Sequence, residues 1–277
     1  MPDSKPFDSE RLLKSGRIKS VEFRQTTPST NDWAKQLIEQ QADPSEGTDL
    51  SASCPKLLLA AIQTAGRGQQ QRSWWSGRGS LTFSLVDVLP DSILPLTTGL
   101  ATALSLAETL NELAPQLEPR IKWPNDLYLN RRKVAGILVE SVRCHDRAFQ
   151  VIGVGVNVNN VLTDLPDEVR TMATSLAECT GQSYDLTRFL IRWSNHYFAA
   201  QQLRLANPTE LVSRCQARSQ LEPGQAVTLE LPDGRQVEGT FAGLSERGGL
   251  LLQQDGPAEE FLSARLKPRA DPNPPVS

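Results

Sequence analysis

Histidine, cysteine and long apolar runs are all scarce in this chain of 277 residues. Its two histidines, His145 and His196, lie far apart and have no acidic neighbour at ligand spacing. This argues against a histidine-rich metal site and against a serine–histidine triad. No segment approaches the ~20 apolar residues of a membrane span, and the polar N-terminus lacks the apolar core of a signal peptide. We therefore expect a soluble, cytoplasmic protein with no membrane partner.

The cysteines and the charge balance exclude further classes of site. Cys54, Cys144, Cys179 and Cys215 form no C-x-x-C pair, so the sequence predicts neither a zinc knuckle nor a redox dithiol, and we expect reduced thiols. With 29 basic and 32 acidic residues the net charge is −3, which argues against general affinity for nucleic acid. Any site for an anion must therefore be local.

Apolar spacing and turn signals predict helices mixed with hairpins. A helix is expected to begin at Ser29 or Thr30, because Ser29 and Asp32 have the spacing of a cap. The strand with Leu81, Phe83 and Leu85 alternates as a half-buried strand does. The other predicted elements are strands at 18–25, 56–64 and 148–160, two strands about the turn at 130–133, and helices at 97–113 and 185–205.

The order of these elements predicts the fold class. Because strands follow one another through short turns, we expect an α+β fold with a mixed, largely antiparallel central sheet and helices packed on it. Short strands with a hairpin signal at Asp233-Gly234 indicate a small C-terminal β-barrel. We expect a tail at 1–20, a main domain at 21–218, the barrel at 219–268 and a disordered tail at 269–277.

Two glycine-rich stretches suggest close contact with a ligand. GRGQQQRSWWSGRGS, residues 66–80, lacks the Gly-Lys-Ser/Thr of a P-loop, but its amides and arginines could fold over an anion. The alternative is a solvated surface loop. In GVGVNVNN, residues 153–160, the glycines lie in a predicted strand, and no helix follows as a dinucleotide fold requires. Either a ligand or another backbone comes close there, or the glycines serve packing.

The stretch KWPNDLYLNRRKVAGIL, which starts at Lys122, is the most specific signal. Pro124 cannot donate to a sheet ladder, so Asn125 and Asp126 follow a point where the chain can bend toward a site. Gly136 in the return strand allows a ligand to approach the backbone. The alternative is an edge hairpin with snorkelling lysines. We interpret the stretch as part of a pocket for a charged small molecule.

Five motifs together resemble the biotin protein ligase family, in its usual order. They are STN at 29–31, QTAGRG at 63–68, KWPNDLYL at 122–129, RKVAGILVES at 132–141 and GVGVNVN at 153–159. The resemblance runs from about Val21 to Lys267. It implies a fold like that of class II aminoacyl-tRNA synthetases, a catalytic domain that binds biotin and ATP, and an SH3-like barrel. Some family members carry an N-terminal DNA-binding domain. Only about 20 residues precede the first predicted strand here, so we expect the monofunctional type and no nucleic-acid partner.

The resemblance also implies an activity. Members of the family join biotin to AMP using ATP and Mg²⁺, and then transfer biotin to a lysine of a biotin carboxyl carrier protein. A lipoate ligase of the same fold and a non-catalytic, biotin-responsive regulator are the alternatives. The carrier protein, the residues that bind Mg²⁺ and a homodimer stay open.

By the same resemblance, single residues receive roles. The expected catalytic residues are Lys133, Arg67 and Asp126. The expected biotin-binding residues are Ser29, Thr30, Asn31, Gln63, Arg67, Gly68, Gln69, Lys133, Gly136 and Gly155. The expected ATP- or adenylate-binding residues are Arg72, Trp74, Lys122, Asn125 and Asn157.

The chain departs from the family pattern in one place. Where many members read GRGRRGR, this chain reads GRGQQQR, with Gln69, Gln70 and Gln71. Neutral amides cannot replace ion pairing to phosphate, so we expect the chain to retain the activated intermediate less tightly.

Overall fold

A computed structural model describes residues 7–40, 49–69, 72–89, 95–163 and 167–267. Gln70, Gln71 and the predicted tail at 269–277 lie outside these ranges. The helices are α1 Ser9–Lys14, α2 Thr30–Gln40, α3 Pro95–Leu113, α4 Asp167–Arg170, α5 Leu176–Thr180, α6 Leu186–Ala206 and α7 Pro208–Ala217, with one 3₁₀ turn at Leu50–Ser53. The strands are β1 Ser20–Thr27, β2 Lys56–Gln63, β3 Ser80–Val88, β4 Arg120–Lys122, β5 Asp126–Leu129, β6 Arg132–Cys144, β7 Arg147–Asn157, β8 Ala226–Glu230, β9 Gln236–Leu244, β10 Leu250–Gln253, β11 Glu259–Phe261 and β12 Arg265–Lys267.

Seven strands form the central sheet in the order β1-β2-β3-β7-β6-β5-β4. Only β1 and β2 run parallel, and every other neighbouring pair is antiparallel. The predicted α+β class with a mixed, largely antiparallel sheet is confirmed. The tight turn from β5 to β6 uses Asn130 and Arg131, both with positive φ, as a two-residue hairpin of this hand requires.

Helices cover both faces of the sheet. On one face α6 packs against β3, where the Phe83 and Trp193 ring centroids lie 4.5 Å apart, and α3 packs against α6 and β6. On the other face α2 places Trp33 and Ile38 in a smaller cluster with Val86 of the same strand. The expectation that β3 is half-buried is therefore wrong, because this strand lies between two helical layers and is buried from its first residue to Val86.

The predicted helix starts agree with the hydrogen bonds at the helix ends. The carbonyl of Ser29 accepts from the Trp33 amide at 3.0 Å, and its hydroxyl accepts from the Asp32 amide at 3.4 Å, so Ser29 caps α2. The carboxylate of Asp185 accepts from the Arg188 amide at 3.0 Å at the start of α6. The Ser29 cap lies at the beginning of α2, which borders the cavity described below.

The C-terminal strands form a second sheet in the order β11-β10-β9-β8-β12. The hairpin predicted at Asp233-Gly234 joins β8 to β9, and Gly234 has a φ of +84°. Within residues 226–267 the outer strands β11 and β12 do not pair with each other, so the strands form an open antiparallel sheet rather than a closed barrel. The indole N–H of Trp123 donates to the Gly248 carbonyl at 2.9 Å and ties this sheet to the main domain.

Two further features bear on the expected class of protein. All four cysteines are free thiols. Within the described ranges, no helix combines the length and the apolar character that crossing a membrane requires.

Candidate active site

One cavity brings together residues from distant parts of the chain. It lies between the start of α2, the loop that follows β2, the turn from β4 to β5, the strands β6 and β7, and the beginning of β12 with the residue before it. Its empty space is about 980 Å³, including the open mouth.

The floor of the cavity is a pair of glycines. Gly136 on β6 and Gly155 on β7 face each other in register, so the sheet carries no side chain at this point. The indole of Trp74 occupies the space above them. A β-carbon at position 155 would come within 2.2 Å of the ring, and one at position 136 within 3.4 Å. In this structure the Trp74 side chain therefore occupies the space left by the glycines. This agrees with the alternative that the glycines serve packing.

The cavity has a strong excess of positive charge. Among its described lining residues one carboxylate, Asp126, stands against five cationic side chains. These are Arg67, Arg72, Lys122, Lys133 and Arg265. The chain as a whole carries a formal charge of −3, so the positive charge is concentrated in the cavity. A concave site with this bias attracts anions.

Arg67 and Lys133 lie on this one cavity and each has an acidic partner. Arg67 pairs with Asp32, the first-turn acid of α2, and both side chains are partly exposed. The Nζ of Lys133 lies 2.6 Å from Oδ1 of Asp126. Asp32 was not predicted as a site residue. The only sequence signal for it was its position in the first turn of a capped helix.

Lys133 is held at both its side chain and its backbone. Its ammonium lies 5.8 Å from the ring centroid of Trp74, in addition to the contact with Asp126. Its amide donates to the Met172 carbonyl at 2.8 Å, and its carbonyl accepts from the Thr174 amide at 2.9 Å. Asp126 therefore lies where its carboxylate can hold the Lys133 ammonium in position.

Lys122 is a cavity cation whose charged form is disfavoured by burial. Burial lowers its pKa below the ordinary lysine value, and the nearby cations Lys133 and Arg72 lower it further, while Asp126 opposes them. Its Nζ lies 5.4 Å from the ring centroid of Tyr128. Burial also raises the pKa of the Tyr128 phenol to about 12. A bound anion would relieve the repulsion that Lys122 experiences.

A series of polar side chains begins at Thr30, Asn31 and Gln63 in the cavity lining and continues behind it. The amide of Thr30 donates to Gln63 Oε1 at 2.7 Å. The hydroxyl of Ser84 lies 2.8 Å from Thr30 Oγ1 and 2.6 Å from Asn31 Oδ1, and Asn31 Nδ2 donates to Glu140 at 2.8 Å. Sequence reasoning missed Ser84 and Glu140. No sequence signal separated Ser84 from Ser80 and Thr82, the other hydroxyl residues at alternate positions of β3.

Most of the remaining predicted site residues also lie on this cavity. Ser29, Gly68, Gln69, Arg72 and Asn125 belong to its lining. The side chain of Asn125 also donates to the Ile137 carbonyl at 2.6 Å, which ties the turn after β4 to β6.

Asn157 does not line this cavity, so its expected contact with the adenylate has no support from the geometry. It is buried, donates to the Thr174 carbonyl at 3.1 Å and accepts from Asn160 at 3.0 Å. The reason is that residues 172–174 pair with the start of β6 and draw this side chain away from the cavity.

Several cavity residues were not predicted as site residues. Ala264, Arg265 and Leu266 belong to the C-terminal segment, and Trp123 and Ser73 flank predicted positions. The C-terminal sheet therefore contributes a cation to the cavity wall. Only the docking of the two sheets shows this, since the segments are far apart in sequence.

Two family models match the chain. Residues 25–159 match the model described as Biotin/lipoate A/B protein ligase family, and residues 224–265 match the model described as Biotin protein ligase C terminal domain. The first range contains most of the cavity lining. The second range contains β8 to β11 and reaches Arg265.

Individual relatives agree with these matches. The chain is 36% identical to Bifunctional ligase/repressor BirA of Bacillus subtilis over 166 residues, 59% of this chain and 48% of that protein. It therefore spans about half the length of the Bacillus protein. It is also 36% identical to Biotin--[acetyl-CoA-carboxylase] ligase of Mycobacterium tuberculosis over 208 residues, 72% of this chain and 74% of that one.

A solved structure has the same fold. The structure described as "Biotin protein ligase from Aquifex aeolicus in complex with biotin and ATP" superposes with a TM-score of 0.73 at 28% identity, over 90% of this chain and 98% of that one. The expected fold class is thereby confirmed. Because the Mycobacterium protein is more than 30% identical and the match covers more than two thirds of it, the chain belongs to the biotin protein ligase family.

Proposed function

We propose that this chain is an ATP-dependent biotin protein ligase. It activates biotin as biotinyl-5′-AMP with release of pyrophosphate, and then transfers the biotinyl group to a lysine of a biotin carboxyl carrier domain. The observation that carries the proposal is that Arg67 and Lys133 lie on one cavity with an excess of cations. The Aquifex structure, whose description names biotin and ATP, supports it through the shared fold.

The first step explains the cations. A carboxylate must approach a triphosphate, and two unit like charges at roughly 4 Å repel by about 4 kcal/mol at an effective dielectric of 20. The site must therefore supply positive charge that is already in place. Lys133, held by Asp126 and Trp74, is positioned to contact both the carboxylate and the α-phosphate. Arg67 is positioned to close over the carboxylate side.

The two steps balance as acyl-adenylate chemistry. A carboxylate oxygen of biotin attacks the α-phosphorus of ATP, the bond from that phosphorus to the bridging oxygen breaks, and pyrophosphate leaves. The amine of the carrier lysine then attacks the acyl carbon, the bond to the adenylate oxygen breaks, and AMP and a proton leave. In this scheme Lys133 stabilises negative charge in both steps, and Asp126 keeps its ammonium in position.

The polar side chains at the start of α2 favour biotin over lipoate. Ser29, Thr30, Asn31 and Gln63 surround the inner end of the cavity with hydrogen-bonding groups. A buried polar group left without a partner costs about 1–3 kcal/mol, so a few such groups suffice to reject an acid whose ring has no N–H or C=O. The lipoyl ring is such a ring.

Mg²⁺ fits this site as a part of the nucleotide substrate. In the described part of the chain, no group of three or more histidine, cysteine, aspartate or glutamate side chains could hold a metal ion. The carboxylate in the lining, Asp126, pairs with Lys133. Mg²⁺ is commonly bound through one or two carboxylates, substrate phosphates and waters, so the phosphates of ATP supply the ligands that the protein does not.

The partner in the second step is a carrier domain that presents a lysine at the mouth of the cavity. The outer edge strand β1 of the central sheet is a surface on which such a domain or a second copy of the chain could pair, whereas Ile121 of β4 already bonds to Arg218 and Gln220 through its backbone. On β1 the side chains of Gln25 and Thr26 are exposed. A homodimer would form by such edge pairing between two copies of the chain. Light scattering on the purified protein tests whether it does.

Biotin-dependent exchange of labelled pyrophosphate into ATP tests the proposed function. We expect exchange with biotin, none with lipoate, and transfer of biotin to a carrier domain when one is added. Exchange with lipoate alone would assign the chain to the lipoate ligases. Biotin binding without exchange would indicate a regulator instead of an enzyme.

A further inference from the structure

Six polar side chains form a continuous series that begins in the cavity and ends outside it. We name this series the polar chain. Its members, in order, are Gln63, Thr30, Ser84, Asn31, Glu140 and Lys35. Thr30, Ser84 and Asn31 are buried, so their hydrogen bonds must be satisfied by one another or by a ligand.

The far end of the polar chain determines which way the Asn31 amide faces. Asn31 Nδ2 lies 2.8 Å from Glu140 Oε2 and 3.3 Å from the Leu138 carbonyl oxygen. Both atoms only accept hydrogen bonds, so the nitrogen must face them and the oxygen must face Ser84. The amide fits there because position 153 is glycine. A β-carbon at Gly153 would lie 2.2 Å from Asn31 Oδ1.

This orientation leaves one contact in the polar chain without a hydrogen. Ser84 Oγ lies 2.6 Å from Asn31 Oδ1 and 2.8 Å from Thr30 Oγ1, and Thr30 Oγ1 lies 3.1 Å from Gln63 Oε1. Two hydroxyl hydrogens must serve these three oxygen–oxygen contacts. The Ser84 hydrogen goes to Asn31, whose oxygen only accepts. The Thr30 hydrogen could serve Ser84 at 2.8 Å or Gln63 at 3.1 Å, and the shorter contact takes it. The longest contact, between Thr30 and Gln63, stays empty.

We propose that Glu140 is a positioning residue which, by orienting Asn31, makes Thr30 and Gln63 a pair of acceptors for a ring N–H of the substrate. This inference rests on the proposed function, because the ureido ring of biotin carries N–H donors. If the Asn31 amide were reversed, its nitrogen would donate to Ser84, Ser84 would donate to Thr30, and Thr30 would donate to Gln63. The pair would then be satisfied internally, and a substrate N–H would gain less.

The variant Glu140→Gln tests the inference because an amide offers one oxygen where the carboxylate offers two. Lys35 contacts Oε1 of Glu140 and Asn31 contacts Oε2, and both contacts need an acceptor. When Lys35 takes the single oxygen, the glutamine nitrogen faces Asn31 and favours the reversed amide. The more distant Leu138 carbonyl opposes this reversal only weakly. We expect KM for biotin to rise about tenfold, the equivalent of one net hydrogen bond, while kcat and KM for ATP change less than about twofold.

Lys35 provides a matched rescue. In the double variant Lys35→Met, Glu140→Gln no cation competes for the amide oxygen, so the oxygen turns to Asn31 and KM for biotin should return to within about threefold of the wild type. Lys35 is not part of the cavity lining. The single variant Lys35→Met keeps both carboxylate oxygens, so its KM for biotin should match that of the wild type.

The readout separates this inference from the proposed function. If the wild type shows no biotin-dependent pyrophosphate exchange, the proposed function fails, and the inference fails with it. If the wild type is active, either an unchanged KM in Glu140→Gln or a double variant as impaired as that single variant overturns the inference alone.

Should thermal unfolding show that Glu140→Gln does not fold, Ser84→Ala replaces it. Removing that hydroxyl releases the Thr30 hydrogen to Gln63, so KM for biotin should again rise, and an unchanged value would overturn the inference.

Discussion

The indole of Trp74 lies on Gly155, closer than any other residue type at that position would allow. Three ring atoms would lie within 2.5 Å of a β-carbon there, and real β-carbons do not approach other atoms so closely. Trp74 thus fills the space over the glycine pair, and Lys133 lies beside it. The two glycines and the tryptophan together determine the depth of the site.

Gly155→Ala should displace Trp74 and damage biotin binding. The added methyl group cannot be accommodated by small shifts, because it meets the body of a ring and not the end of a flexible chain. We expect KM for biotin to rise by about tenfold or more. Steady-state pyrophosphate exchange measures this.

Gly136→Ala is the matched control for that variant. Its nearest contacts are the flexible end of Lys133 at 3.2 Å and Trp74 at 3.4 Å, so the effect should be several times smaller. In a Trp74→Ala background, Gly155→Ala should cost much less than in the wild type. An equal cost in both backgrounds would show that the methyl group meets something other than Trp74.

Lys133→Met should lower kcat for adenylate formation by about 10²-fold, the usual cost of removing one preorganised group that stabilises developing charge. Asp126→Asn should lower it less, since it releases the ammonium without removing it. Single-turnover formation of biotinyl-AMP measures both rates. Equal losses in the two variants would contradict an orienting role for Asp126 and point to a direct one.

The low pKa of Lys122 predicts a pH dependence of ATP binding. A lysine whose pKa lies below its ordinary value of 10.5 loses its proton earlier as the pH rises. KM for ATP should therefore increase with alkaline pH before a free lysine would titrate, while KM for biotin changes less.

Lys122→Arg provides the control for this prediction, because a guanidinium keeps its charge throughout this range. The alkaline rise in KM for ATP should disappear in that variant. A rise of the same size with arginine present would assign the titration to another group.

Gln69→Arg should slow the release of biotinyl-AMP. Gln69 lies on the cavity lining, and arginine there would restore a cation that can pair with the phosphate of the intermediate. The dissociation rate of the preformed intermediate, followed after dilution, measures this. Equal rates in the wild type and the variant would refute the expectation that the glutamines weaken retention.

Local signals predicted most of the secondary structure because each depends on neighbouring residues. The Ser29 cap, the Asp233-Gly234 hairpin and the helix containing Phe189 and Trp193 are where periodicity and turn chemistry place them. The alternation of apolar and polar residues in β3 led to a wrong prediction. Such alternation indicates a half-buried strand only when one face of the strand is exposed to water. Helices pack on both faces of this strand, and no pattern within the strand's own sequence predicts the helix on the second face.

The site was predicted in part for the same reason. Motifs on adjoining segments identified Arg67, Lys133, Gly136 and Gly155, all of which lie on the cavity. Asn157 was misplaced because its surroundings are set by a segment distant in sequence that pairs with the start of β6. Arg265 was missed because it lies outside the motifs. Glu140 lies in the motif at 132–141, but the motif does not show that its carboxylate contacts Asn31.

The sequence by itself determined which residue types were available for the chemistry, where strands turn and where helices begin, because those properties follow from short-range sterics and hydrogen bonding. It also determined the family, through motifs that occur in order. The tertiary structure alone decided that the two sheets share one cavity wall and that Trp74 rests on Gly155. It alone decided that Glu140 orients Asn31. These relationships join atoms that are far apart along the chain, and only packing of the whole chain brings such atoms within a few ångströms.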